Sequence, residues 1–111
     1  MKYVMLILNT EESAKLSEAD MQAWTSEIMA WYEKQGSSGK MPDGGAQLES
    51  PDTAKTIRAG GVTDGPFIET KEFIAGIDVV RCADRQQAIE LAAAHPIARY
   101  HAIEVRPFYS E

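Results

Sequence analysis

The chain has 111 residues, of which 44% are hydrophobic and 25% charged, a length and composition typical of one soluble globular domain covering residues 1–111. Its net charge of −6 and its scattered basic residues argue against direct nucleic-acid binding and against an anionic membrane surface. Cys82 is the only cysteine, which excludes an internal disulfide framework, and the N-terminal apolar run ends at Leu8, too early for a signal peptide or a membrane span. We therefore expect a cytoplasmic protein.

The first third of the chain predicts a strand followed by a helix. Lys2–Leu8 is a continuous apolar run rich in β-formers, which favours a strand buried on both faces. Ser17 is a suitable N-cap for the helix, and Gly36 is predicted to end it. Apolar residues recur in the helix at three- and four-residue intervals and predict one apolar stripe: Met21, Trp24, Ile28 and Trp31.

The middle of the chain predicts β-structure with interruptions. Ala46–Ser50 and Thr53–Ala59 are expected to pair as a hairpin through the turn Ser50-Pro51-Asp52. Phe73–Cys82 predicts a longer strand, in which Gly76 and Asp78 break the apolar character.

The last third predicts a second helix and a final strand. Asp84 caps the helix with Gln87 in the capping-box position, and Pro96 stops it. Tyr100–Phe108 then alternates as a strand. The order β-α-β-β-β-α-β predicts an α+β, ferredoxin-like subunit with both helices on one face of the sheet. The opposite face is left uncovered, so we expect a two-fold dimer in which a second copy of the chain packs against it.

The segment Thr63-Asp64-Gly65-Pro66-Phe67 is unusual between two strand-like stretches, because the proline after Asp-Gly stiffens the turn and removes a backbone donor. Four other stretches carry a resemblance together with this segment: Ala54–Arg58, Glu69–Glu72 with Gly76, His95-Pro96 and Ile103–Pro107. Taken together, these residues resemble the YCII-related family in its DGPF-domain branch.

The resemblance implies a dimeric α+β barrel built from ferredoxin-like subunits. It also implies a suspected catalytic pair of a histidine and an aspartate in a cleft of the dimer, and genes that often lie beside those of sigma-factor-like regulators. The family's histidine belongs to the first helix region, and Ser17–Gly36 contains no histidine. Asp64 is the aspartate of the DGPF motif and is carried over as a candidate.

Three residues are candidates for acid–base catalysis. Asp64 is a candidate general base if the Gly65-Pro66 corner holds it still, although an aspartate before glycine often only hydrogen-bonds its own turn. His95 and His101 have unperturbed pKa values near neutrality. The alternative for His95 is a protonated cap at the helix C-terminus, and for His101 a place in the core.

A second set of residues is a candidate for substrate binding: Arg58, Phe67, Lys71 and Arg106. The basic members suit a small carboxylate or another anion, and their alternative is pairing with the protein's own acids. The sequence lacks zinc-site spacings, a P-loop and a dinucleotide fingerprint, so neither a metal nor a cofactor is expected.

Two functions follow from these observations. The first is a small-molecule-binding protein or acid–base enzyme with its site near the DGPF loop. The alternative is a non-enzymatic regulatory module that acts with a sigma-factor-like partner. In that module the DGPF loop has a structural role only.

Overall fold

A computed structural model of the protein describes residues 1–66 and 72–110. Its centre is an antiparallel four-stranded sheet with the strand order β2-β5-β1-β6. The main elements follow one another along the chain as β1 Lys2–Asn9, α1 Glu18–Ser38, β2 Gly45–Gln47, β3 Lys55–Arg58, β4 Gly61–Asp64, β5 Phe73–Arg81, α2 Arg85–Ala94 and β6 Ala102–Pro107. Strand β5 lies between β1 and β2, which is the split β-α-β arrangement, so the ferredoxin-like α+β prediction is confirmed.

The core lies between the sheet and the helices. Successive residues of β1 point to opposite faces, and its Tyr3, Met5 and Ile7 are buried. Tyr3 and Met5 pack in one cluster with Val80 of β5 and with the buried side chains of α2, which are Ala88, Leu91 and Ala92. The opposite faces of β1 and β5 form an open apolar face, which we define as Val4, Leu6, Leu8, Ile74, Ile77 and Val79.

Helix α1 begins as predicted and ends later than predicted. The Ser17 hydroxyl accepts a hydrogen bond from the backbone N–H of Asp20 at 3.1 Å. The helix continues through Gly36 to Ser38, and Gly39 is the C-cap. Gly39 has a φ of 79°, the left-handed conformation that a helix C-cap needs and that glycine adopts without a steric penalty. The predicted end at Gly36 is therefore wrong.

The backbone of helix α1 approaches the 3-10 segment Pro96–Arg99, which follows α2, more closely than it approaches the strands, which α1 contacts through the side chains of Trp31 and Tyr32. The Trp24 indole N–H donates to the carbonyl oxygen of Pro96 at 2.7 Å and fixes this contact. Because α1 is held at the 3-10 segment, a space remains between α1 and the sheet. This space becomes the candidate site.

The predicted central hairpin is wrong in its pairing. Residues Gly45–Gln47 pair with β5 in the main sheet, and Pro51–Thr53 form a 3-10 turn that is not a hairpin turn. The hairpin instead joins β3 to β4, with Lys55 opposite Asp64 and Ile57 opposite Val62. It forms a separate two-stranded sheet whose residues are nearly all exposed. Both Ser50-Pro51-Asp52 and Ala59-Gly60 are turn-forming sequences, and the observed hairpin turn is at Ala59-Gly60.

The start of α2 matches the sequence prediction. The Asp84 carboxylate accepts from the Gln87 backbone N–H at 2.8 Å, and the Gln87 side chain accepts from the N–H of Ala83. In the part of the chain that the structure describes, no helix is both long enough and apolar enough to cross a membrane.

Candidate functional site

A cavity of about 690 Å³ lies between α1 and the β2–β5 side of the sheet, and we call it the central cavity. Its volume falls in the range of about 300 to 1,000 Å³ that is usual for small-molecule sites. The lining is mostly apolar, with Trp24, Ile28 and Met29 from α1 and Ile7 from β1. Six further side chains add polar groups to it: Asn9, Thr25, Tyr32, Gln47, Asp78 and His101.

Three residues from three different elements form a buried hydrogen-bonded cluster at this cavity. The Tyr32 hydroxyl of α1 donates to Asp78 Oδ2 of β5 at 2.6 Å. His95 Nε2, at the end of α2, lies 3.1 Å from the same hydroxyl. Asp78 is 4% exposed and His95 is 2% exposed. Tyr32 and Asp78 line the cavity, whereas His95 supports Tyr32 from behind.

The direction of the hydrogen bonds follows from the partners of His95. Its Nδ1 accepts the backbone N–H of Ile97 at 3.2 Å, so in the neutral ring Nε2 carries the hydrogen and donates to Tyr32. Burial lowers the pKa of His95 to about 4, which keeps the ring neutral at physiological pH. Trp31 stacks on the ring with centroids 3.9 Å apart and holds its orientation.

Asp78 is a buried carboxyl whose pKa is shifted toward neutrality. Burial raises the pKa of Asp78, and the hydrogen bond from Tyr32 partly offsets that increase because it favours the carboxylate. Burial likewise raises the pKa of Tyr32, with a further contribution from its hydrogen bond to Asp78, so Tyr32 is a stable donor. Among the described residues, Asp78 Oδ1 has no hydrogen-bond partner, and Asp78 is one of the residues that line the cavity.

Gly45 makes room for the Asp78 carboxyl. It lies opposite Asp78 in the β2–β5 pair. A Cβ atom at Gly45 would stand 2.1 Å from Asp78 Oδ1 and 2.5 Å from the Ile77 carbonyl oxygen. The Asp78 carboxyl can therefore occupy its observed position only because residue 45 has no side chain.

His101 forms another polar point of the cavity wall. Its Nδ1 accepts the backbone N–H of Thr10 at 3.1 Å, so Nε2 carries the hydrogen in the neutral ring. Burial lowers the pKa of His101, and the neighbouring Tyr100 carbonyl partly offsets this. Trp24 meets the ring edge-on with centroids 5.2 Å apart. His101 is therefore a neutral donor in a fixed orientation.

The other predicted site residues lie apart from this cavity. Asp64 is on the exposed hairpin, where it pairs with Lys55, and its side chain is 86% exposed. Arg58 is on the same hairpin, and Arg106 is exposed on β6 with Glu104 as its partner. None of these three lines the central cavity in the structure as described. Their roles stay predictions. Phe67 and Lys71 fall outside the described residues.

The interpretation of His95 as a protonated helix cap is wrong. The ring is buried between Trp31 and Tyr32 and accepts a backbone hydrogen bond at Nδ1, which a protonated imidazole cannot do. The structure therefore brings His95 and His101, of the three predicted catalytic residues, toward one region between α1 and the sheet.

Sequence reasoning missed Tyr32, Gly45 and Asp78 as site residues. Asp78 left a signal, because it is a charged residue in an otherwise apolar strand that also contains a glycine. Tyr32 lies next to the apolar stripe of α1 and left none. Within residues 1–66 and 72–110, no group of three or more His, Cys, Asp or Glu side chains is placed to hold a metal ion.

Comparison with known proteins identifies the family of the chain. No curated protein matches the sequence significantly. The model of the YCII-related domain matches residues 1–110, which is nearly the whole chain. The chain therefore belongs to the YCII-related family.

Proposed function

We propose that this protein is an acid–base enzyme that moves a proton on a small molecule bound in the central cavity. The observation that carries the proposal is the Asp78–Tyr32–His95 cluster, in which a buried carboxyl with a raised pKa borders a cavity of about 690 Å³. Perturbed carboxyls in clefts are typical of functional sites, because a catalytic group works best when its pKa lies near the working pH. We also propose that the chain belongs to the DGPF-domain branch of the YCII-related family.

In this mechanism Asp78 is the catalytic residue, and Tyr32 and His95 are positioning residues. Asp78 Oδ1 accepts a proton from the bound molecule and later returns it. The Tyr32 hydroxyl stabilises the carboxylate through Oδ2 at 2.6 Å, which leaves Oδ1 as the oxygen that takes the proton. His95 donates to Tyr32 and directs the tyrosine hydrogen toward Asp78.

The test is proton exchange on small carbon acids in D2O, followed by NMR. We expect the wild-type protein to exchange deuterium into at least one such compound and Asp78→Asn to lose about 100-fold or more of the rate. Asp52→Asn is the matched control, because Asp52 is an exposed aspartate in the 3-10 turn away from the cavity. Full activity in Asp78→Asn would refute the assignment.

The same assay tests the site predicted from the DGPF motif. If Asp64 takes part, its exposed position requires that another surface cover the hairpin. Asp64→Asn then lowers exchange without changing the melting temperature, whereas Asp78→Asn leaves some activity. If the central cavity alone is the site, Asp64→Asn exchanges at the wild-type rate.

We further propose that the protein is a homodimer in which a second copy covers the open apolar face. That face presents Leu6 and Ile77 side by side, and Ile77 is 37% exposed in the single chain. Leu6→Glu should convert a dimer to a monomer in sedimentation at micromolar concentration. Ile89→Glu is the matched control, because Ile89 is equally apolar and exposed on α2, on the other side of the sheet. A wild-type monomer would refute the proposal.

One observation favours the alternative of a regulatory module. The β3–β4 hairpin exposes an apolar cross-strand pair, Ile57 at 75% and Val62 at 63%, and isolated hairpins are only marginally stable in water. A sigma-factor-like protein that packs on this pair would stabilise the hairpin. Direct binding of the purified partner, lost in Ile57→Ser and kept in Asp78→Asn, would support this function over the enzyme.

A further inference from the structure

The charge of the central cavity restricts what it can hold. Among the described residues, no lysine or arginine lines it, and its one carboxyl is Asp78. An anion entering this cavity would meet a buried carboxylate without a compensating cation, and uncompensated buried charge is costly. A cation would lie against the apolar side chains of Ile7, Trp24 and Ile28 for most of its surface.

The polar points of the cavity are of complementary kinds. Asp78 Oδ1 is an acceptor when ionised, whereas His101 Nε2–H is a donor whose other ring nitrogen is occupied by the Thr10 backbone. His101 Nε2 has no acceptor among the described residues. A polar group that lines a cavity and has a fixed tautomer but no acceptor is suited to bind a ligand oxygen.

We infer that the central cavity takes a neutral, largely apolar molecule with a carbonyl oxygen, and that His101 Nε2–H binds this oxygen. The inference rests on the proposed function and deepens it, since it names the substrate class of the same site. A carbonyl also acidifies the adjacent C–H bond. When Asp78 removes that proton, the C–H electron pair forms a carbon–carbon double bond and the carbonyl π pair moves to oxygen. His101 donates to this oxygen. Return of the proton restores the ketone, so no further reactant is needed.

The test uses three compounds of nearly the same shape: ethylbenzene, acetophenone and benzoate. Binding to the full chain is measured by NMR titration at neutral pH. We expect acetophenone to bind about fivefold more tightly than ethylbenzene, the effect of one hydrogen bond, and benzoate to bind most weakly. In His101→Phe the advantage of acetophenone over ethylbenzene should disappear while ethylbenzene still binds. In His101→Gln, which keeps a side-chain donor, part of the advantage should return.

Each contrary result overturns a stated part of the inference. Equal binding of acetophenone and ethylbenzene by the wild-type protein removes the His101 hydrogen bond. Binding of benzoate as tight as that of acetophenone overturns the neutral class and favours the anionic ligand predicted from the basic residues. No binding of any of the three overturns the inference as a whole. Deuterium exchange into the methyl group of acetophenone is followed in the same samples. If acetophenone binds as expected but no candidate carbon acid exchanges, the proposed function fails and the ligand class stands.

Discussion

The buried, neutral state of His95 predicts a loss of stability in acid that belongs to this one side chain. The unfolded chain protonates His95 with a pKa near 6.5, whereas burial lowers the pKa in the folded state to about 4. Below pH 6.5 the unfolded state therefore binds more protons than the folded state, and stability falls as the pH falls. The buried neutral His95 therefore costs no stability above about pH 6.5, and the free energy of unfolding decreases as the pH falls from 6.5 toward 4.

The size of this effect follows from the same two values. At 1.36 kcal/mol for each pH unit between them, the free energy of unfolding should fall by about 2.5 kcal/mol between pH 7.5 and pH 4.5 on account of His95. The ring is 2% exposed, so solvent screening reduces this figure little. A drop of this size is a large part of the stability of a small domain.

The assay is urea denaturation of the wild type and His95→Gln at several pH values and one protein concentration, since a dimer's stability depends on concentration. The variant should be less stable at pH 7.5, because it loses the stacking on Trp31, and its stability should change less between pH 7.5 and 4.5. The difference between the two proteins cancels groups that both retain, including Asp78. His101→Gln is the control and should keep most of the acid loss. An identical pH dependence in the wild type and His95→Gln would refute the buried neutral histidine.

Two further predictions concern packing and surface charge. Gly45→Ala should destabilise the protein by about 1–3 kcal/mol, because the new Cβ would overlap Asp78 Oδ1 and the backbone of β5. Gly36→Ala should stabilise the protein by about 0.5–1 kcal/mol, because Gly36 lies in a helix and has open space at the position of a Cβ. Thermal denaturation measures both effects. A Gly45→Ala variant as stable as the wild type would contradict the close approach. Asp64→Asn should change the free energy of unfolding by less than about 1 kcal/mol, since its pair with Lys55 is exposed, and a larger loss in urea denaturation would show that the hairpin is covered.

Much of the fold could be predicted from local patterns. The structure confirms several local signals: the caps Ser17 and Asp84 and the spacing of Trp24 and Trp31. The apolar run of β1 does form a strand, but only one of its faces is buried in the single chain, whereas burial of both was expected. The family match also confirms the resemblance to the YCII-related family, which was based on motifs spread over the chain. The hairpin was misplaced because Ser50-Pro51-Asp52 and Ala59-Gly60 both suit a turn, and only the pairing of β2 with β5 decides between them. That pairing joins residues about thirty positions apart and has no local signal.

The candidate site was harder to predict, because contacts between distant elements create it. His95 was singled out for its type, yet its burial depends on Trp31 and Tyr32 of the other helix. In the sequence, Asp78 stood out only because it interrupts an apolar strand. Its place in the candidate site becomes clear from two contacts in the structure: Tyr32 donates a hydrogen bond to it, and Gly45 leaves space for its carboxyl. An acid that interrupts an apolar strand is the part of this signal that sequence reasoning can use.

The central claim is that Asp78 is a buried acid with a raised pKa, and that the hydrogen bond from Tyr32 stabilises its carboxylate form. Its most direct test is the titration of the Asp78 side-chain carboxyl by ¹³C NMR in the wild type and in Tyr32→Phe. The account predicts a wild-type midpoint above the usual aspartate value and a still higher midpoint in Tyr32→Phe, because burial raises the pKa and the lost hydrogen bond no longer offsets it. A wild-type midpoint at or below the usual value, unchanged in Tyr32→Phe, would contradict it.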